Sequence, residues 1–99
     1  MNRQEIMQTI RKHNSFFIAH GVKQLGIFGS HARDEAREDS DIDLIVEFDQ
    51  GMKTYDNFIE ISFFLEDLFG RKIDLLTPES ISPFLKPYID KDVYYETIH

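Results

Sequence analysis

The stretch IFGSHARDEAREDSDIDLIVEF, Ile27 to Phe48, decides the fold. It begins on the end of an apolar run, with Leu25, Ile27 and Phe28, that reads as a short strand over Lys23–Phe28. Gly29-Ser30 ends that strand. His31 to Arg37, rich in Ala and Arg, reads as a helical turn or two. From Asp41 to Phe48 the alternation is regular: Ile42, Leu44, Val46 and Phe48 point one way, Asp41, Asp43, Ile45 and Glu47 the other. A period of two is the signature of a strand, and one with an apolar face must bury it against something.

The flanking sequence supplies the cover. Upstream, Ile6, Ile10, Phe17 and Ile18 recur at helical spacing with no internal Gly or Pro, which predicts one helix over Arg3–His20, closed by Gly21. Downstream, Gly51 marks a turn and Thr54 or Asp56 caps a helix that carries Phe58, Ile61, Phe64, Leu65 and Leu68 on one face and stops at Gly70. Lys72–Leu76 is a third strand. Pro78 begins a last helical region broken by Pro83 and Pro87, and Val93–Ile98 is a terminal strand or helix. Loose ends are expected at Asp49–Lys53 and in the last few residues. The order α-β-α-β-α-β-α predicts an α/β (α+β) fold, a small mixed sheet with flanking helices, in one domain spanning residues 1–99.

Composition narrows the function classes. The 99 residues are 41% hydrophobic and 29% charged, as in ordinary globular proteins, and nine Phe can build one core. Eighteen acidic side chains leave a net charge of −7, which disfavours direct nucleic-acid binding and suits a basic partner or a cation-holding site. The absence of cysteine excludes disulfides and thiolate metal sites. The start has no apolar stretch of signal-peptide type, and no segment is long enough to span a bilayer, so no membrane association and a cytoplasmic location are expected.

Three features carry chemistry. At Gly29-Ser30, glycine lets a ligand approach the backbone, Ser30 offers a hydroxyl, and the free N–H groups of the following turn suit phosphate oxygens. Taken alone the pair is a weak signal that reads as a plain turn, and it lacks the Gly-Lys-Ser/Thr ending of a P-loop. Asp41 and Asp43, two apart on a strand, share a face with Cα atoms about 6.6 Å apart. They repel each other unless a cation such as magnesium lies between them; the alternative is that Asp41 caps a turn and both are solvated. Asp74 interrupts the apolar strand Lys72–Leu76. If that strand lies beside Asp41–Phe48, Asp74 completes a three-carboxylate cluster able to hold two metals about 3.5–4 Å apart; otherwise it is an edge-strand acid facing water.

Gly29-Ser30, ten residues, then Asp41-Ile42-Asp43 resembles the signature of the DNA polymerase β-like nucleotidyltransferase superfamily. The form Gly29-Ser30-His31-Ala32-Arg33 and the short chain are similar to its minimal nucleotidyltransferase (MNT) domains. The resemblance implies that Gly29 and Ser30 hold a triphosphate and that Asp41, Asp43 and Asp74 are the catalytic, magnesium-ligating acids, Asp74 helping to activate an attacking hydroxyl. Arg33 stands at the motif arginine, contacting phosphate or bracing the loop, or else pairing with Glu35, Glu38 or Asp39. Asp34 departs from the pattern, since many relatives have Gly there.

The chain has no room for a second substrate domain, so the acceptor is expected on a partner. In the family, MNT proteins are typically antitoxins that transfer AMP from ATP to a tyrosine hydroxyl of a HEPN-domain ribonuclease toxin, and the resemblance implies that activity, with ATP as substrate, Mg2+ as cofactor and a hetero-oligomer with the toxin. A binding-only antitoxin, or the catalytic subunit of a small-molecule nucleotidyltransferase, is the alternative. On the helix ending at Gly70, Phe63 lies about 140° from Phe58, with Ile59 between them, which marks either a partner surface or a second covered side. The four histidines form no ligand set: His31 adjoins the loop and reads as solvated, His13 lies near a buried stripe, and His20 and His99 sit at segment ends.

Overall fold

The structure is a computed structural model that describes residues Met1–His99. Its elements run α1 (Arg3–Arg11), α2 (Asn14–Ala19), β1 (Val22–Phe28), α3 (Gly29–Ala32), β2 (Ile42–Phe48), α4 (Tyr55–Phe69), β3 (Ile73–Leu76), a 3₁₀ turn (Pro78–Ser80), α5 (Lys86–Asp92) and β4 (Tyr94–Thr97). The four strands form one mixed sheet in the order β3-β2-β1-β4. β1 is antiparallel to both β2 and β4, whereas β2 and β3 are parallel and so need the crossover that α4 supplies.

One sheet face is closed by helices. Ile42, Leu44 and Val46 of β2, Leu25 and Ile27 of β1, and Ile73 and Leu75 of β3 form a continuous core with Ile6 and Ile10 of α1, Phe17 of α2, and Ile61 and Leu65 of α4. Burying each such side chain contributes about 1.5–3 kcal/mol. The helices start where local chemistry says they should. Asn2 and Glu5 form a reciprocal capping box on α1, and the Thr54 hydroxyl accepts from the Asn57 N–H at the start of α4. Gly70 closes α4 in the left-handed region at φ 64°. The opposite face holds a smaller cluster, Phe28, Ile45 and Ile89, that seats α5 on the sheet. No helix is long and apolar enough to cross a membrane.

The structure corrects three expectations. The leading helix is not continuous over Arg3–His20: it breaks at Lys12-His13, and His13 Nδ1 lies 2.9 Å from the Thr9 carbonyl oxygen. Beyond the break, Phe16 and Phe17 of α2 both pack on Phe64 of α4, with ring centroids 3.8 and 5.7 Å away. Tertiary packing overrides the local pattern. Beyond Gly29-Ser30 the helix is a single turn ending at Ala32, rather than one running to Arg37. Asp34 adopts φ 55°, which stops it, and its carboxylate accepts from the Arg3 N–H at 3.0 Å. The last residues are not loose: β4 pairs with β1, Ile98 is buried and the Ile98 N–H donates to the Lys23 carbonyl.

Candidate active site

The acids sit on the sheet face opposite the main core. Parallel pairing sets Asp43 directly beside Asp74, and on its other side Asp43 pairs with Phe28, the residue before Gly29. Crossing the sheet from its β3 edge, the order is therefore Asp74, Asp43, then the Gly29 turn. Asp41 stands just before β2, 4.0 Å from the Lys72 ammonium, with both groups solvent-exposed. The structure thus brings Asp41, Asp43, Asp74 and Gly29-Ser30 together at one end of the sheet.

Gly29 is needed by this geometry twice over. It has φ 72°, in the left-handed region, and a β-carbon added there would overlap the Asp43 carboxylate. The turn and the acid are fitted to each other, which a plain turn does not require.

Asp43 is the electrostatically strained member. Its pKa is pushed up to about 6, first by burial and then by the charges of Asp74 and Asp41, with Arg33 alone opposing. No three His, Asp or Glu side chains gather closely enough to hold a cation by themselves. Magnesium asks for less: one or two carboxylates, with water and substrate phosphates filling its remaining positions. An all-oxygen donor set with uncompensated negative charge fits such an ion, and fits zinc or copper poorly.

Arg33 borders the same turn and is held from two sides, Nε 3.3 Å from Glu35 and Nη1 3.1 Å from Asp92 of α5. The Glu35 pair is among those expected from sequence, while Asp92 is a long-range partner. His31 is not a solvated loop residue. It is 1% exposed, its Nδ1 has no hydrogen-bond partner, and its Nε2 lies 3.4 Å from Nη1 of Arg71. Burial, then the Arg71 charge, lowers its pKa, so the imidazole is neutral and can accept from Arg71. The same guanidinium donates to the Ser40 carbonyl at 3.4 Å, tying the Gly29 turn to the start of the Asp41–Asp43 segment. Nothing in the local sequence marks Arg71 for this role. Of the expected partner surface, Phe63 is exposed rather than covered, and Ile59 is half-buried beside it.

A family model described as a nucleotidyltransferase domain matches residues 7–98. A candidate protein adenylyltransferase of Methanocaldococcus jannaschii is 44% identical over 89 residues, covering 90% of this chain and 91% of its own. The protein adenylyltransferase MntA of Thermococcus cleftensis is 34% identical over 97 residues, covering 90% and 97%. The solved structure of a candidate minimal nucleotidyltransferase superposes with a TM-score of 0.77 at 32% identity, covering 95% of each chain. A tri-AMPylated HEPN toxin of Shewanella oneidensis in complex with its MNT antitoxin gives a TM-score of 0.64 over 94% of this chain and 70% of the matched one. At 18% identity, that last likeness bears on fold alone. The chain belongs to the nucleotidyltransferase-domain family, in its minimal form, and is a nucleotidyltransferase.

Proposed function

We propose that this nucleotidyltransferase transfers AMP from ATP to a hydroxyl, a tyrosine's by family analogy, on a partner HEPN ribonuclease, and so acts as its antitoxin. The observation that carries the reading is the register of β2 and β3, which pairs Asp43 with Asp74 beside Gly29. Relatives named as protein adenylyltransferases support the acceptor class, and a fold shared with a HEPN–MNT complex supports the partner class. An ATP-using antitoxin of this kind belongs in the cytoplasm.

In this reading the backbone N–H groups of the turn at Gly29-Ser30 hold the triphosphate, and Arg33 stands by to add a charge-assisted contact. Asp41 and Asp43, with Asp74, would hold magnesium, which when bound neutralises triphosphate charge and aligns the reacting oxygens. Asp74 lies exposed on the edge strand, where an acceptor on another protein can reach it. Its carboxylate accepts the hydroxyl proton as the oxygen bonds to the α-phosphorus and the bond to pyrophosphate breaks. Arg71 holds the turn and the Asp41 segment in register through His31 and Ser40.

The test is the mass of a purified HEPN partner after incubation with this chain, ATP and magnesium. Whole AMP increments, absent with Asp41→Asn/Asp43→Asn, support the reading. An unmodified partner that is nonetheless silenced would assign neutralisation to binding alone.

A further inference from the structure

Arg3, the first residue of α1, ties the N-terminal helix to the turn that carries Gly29 and Ser30. Its Nη1 donates to the Ala32 carbonyl at 2.7 Å, and its backbone N–H donates to the Asp34 carboxylate at 3.0 Å. The guanidinium carbon lies 3.8 Å from the centre of the Tyr94 ring on β4, whose face steadies the guanidinium plane. Three segments far apart in sequence thus meet at one side chain.

These bonds close two chain ends at once. α3 is a single turn of four residues, too short to hold its shape alone. The residues that follow satisfy three of its carbonyls: the Arg33 N–H donates to Gly29, the Glu35 N–H to Ser30 and the Asp34 N–H to His31. The remaining carbonyl, of Ala32, is met by Arg3 in a charge-assisted bond. In return, the Asp34 carboxylate accepts from Arg3 one of the N–H groups that the start of α1 leaves without a helical partner. Asp34 sits at φ 55°, where glycine would be unstrained, so its carboxylate gives the chain a bond that glycine could not make. Ala32 belongs to the main core, and Tyr94 pairs with Ile27 of that same face. Arg3 therefore reaches the turn from the side opposite the acids.

We propose that Arg3 is a positioning residue of the nucleotide site, holding the Gly29–Ala32 turn from behind in the shape that receives phosphate. The proposal rests on the phosphate-turn reading above and deepens it. Arg3 acts through the Ala32 carbonyl, and Asp34 and Tyr94 in turn hold Arg3.

The experiment measures calorimetric binding of ATP with magnesium, well below the melting midpoint and on chains shown folded by circular dichroism, for wild type, Arg3→Met, Arg3→Lys and Asp34→Gly. Methionine keeps much of the apolar stem and removes the donors; it should weaken ATP binding about tenfold. Lysine keeps one donor toward Ala32 and should restore most of that loss. Asp34→Gly relieves the backbone strain and folds even if Arg3→Met does not; without the carboxylate, ATP binding should fall about threefold. ATP binding at the wild-type value in folded Arg3→Met, however much its melting temperature drops, would reduce the contact to one of stability and overturn the proposal. If Arg3→Met does not fold, wild-type affinity in Asp34→Gly overturns it instead. A wild-type chain that binds no ATP overturns the phosphate-turn reading itself, whereas tight binding insensitive to these substitutions overturns the positioning role alone.

Discussion

The two faces of the sheet are built to opposite specifications. On the helix-covered face, Ile42, Leu44 and Val46 are completely buried against α1, α2 and α4. On the other, the intervening positions of the same strand carry Asp43, raised to a pKa of about 6, and Ile45, which seats α5. A residue's step along β2 thus separates stability from chemistry. The lesson is that like charges packed at Asp41, Asp43 and Asp74 are tolerated because the reverse face supplies the folding energy.

That division can be broken from either side. The largest effect expected is catalytic: Asp41→Asn/Asp43→Asn should lower AMP transfer about a thousandfold or more, measured as initial rate, because charge neutralisation and positioning supply most of phosphoryl-transfer catalysis. Next is Leu44→Ala on the closed face, which should cost about 3 kcal/mol in chemical denaturation through lost burial and a residual cavity. Gly29→Ala should cost about 2 kcal/mol, since alanine is strained at φ 72° and its methyl overlaps the Asp43 carboxylate, and transfer should fall with it.

The smallest effect has the opposite sign. An acid whose folded pKa is raised leaves the folded state holding more protons than the unfolded state, between the ordinary Asp value near 4 and about 6. The Asp43 contribution to stability therefore falls as pH rises through that window, and the full penalty stands above it. Asp43→Asn should remove the penalty and stabilise the metal-free chain by roughly 1 kcal/mol at pH 7, a figure discounted for partial solvent screening. Denaturation midpoints across pH 4 to 7 should converge for wild type and variant at the acidic end.

How much of this was legible before the fold was known follows from the range of the contacts involved. β2 and α4 were, because a period-two strand and a helix with Thr54 and Gly70 at its ends are written locally. The alignment of Asp43 with Asp74 was legible as a condition: if β2 and β3 neighbour each other, the acids share a face. The break at Lys12-His13 was not, since no Gly or Pro marks it in the sequence. Nor was the pairing of β4 with β1, although one clue was present. Gly26 interrupts an apolar strand, and a side chain there would collide with the ring of Tyr95, its partner on β4. Among the site residues, the acids and the Gly-Ser turn were marked by spacing. The burial of His31, the Arg71 tie and the Arg33–Asp92 pair depend on residues distant in sequence and left no local trace.

One thermal-unfolding measurement tests the central claim most directly. Wild type and Asp43→Asn are melted at pH 7 in chelator, and again with saturating ATP and magnesium. Without ligand the variant should melt higher, because it is relieved of the buried charge. With ligand the order should reverse, since only the wild type gains the stabilisation of a bound magnesium nucleotide. A variant that melts lower than wild type in chelator, or that gains as much from ATP and magnesium, would contradict the account.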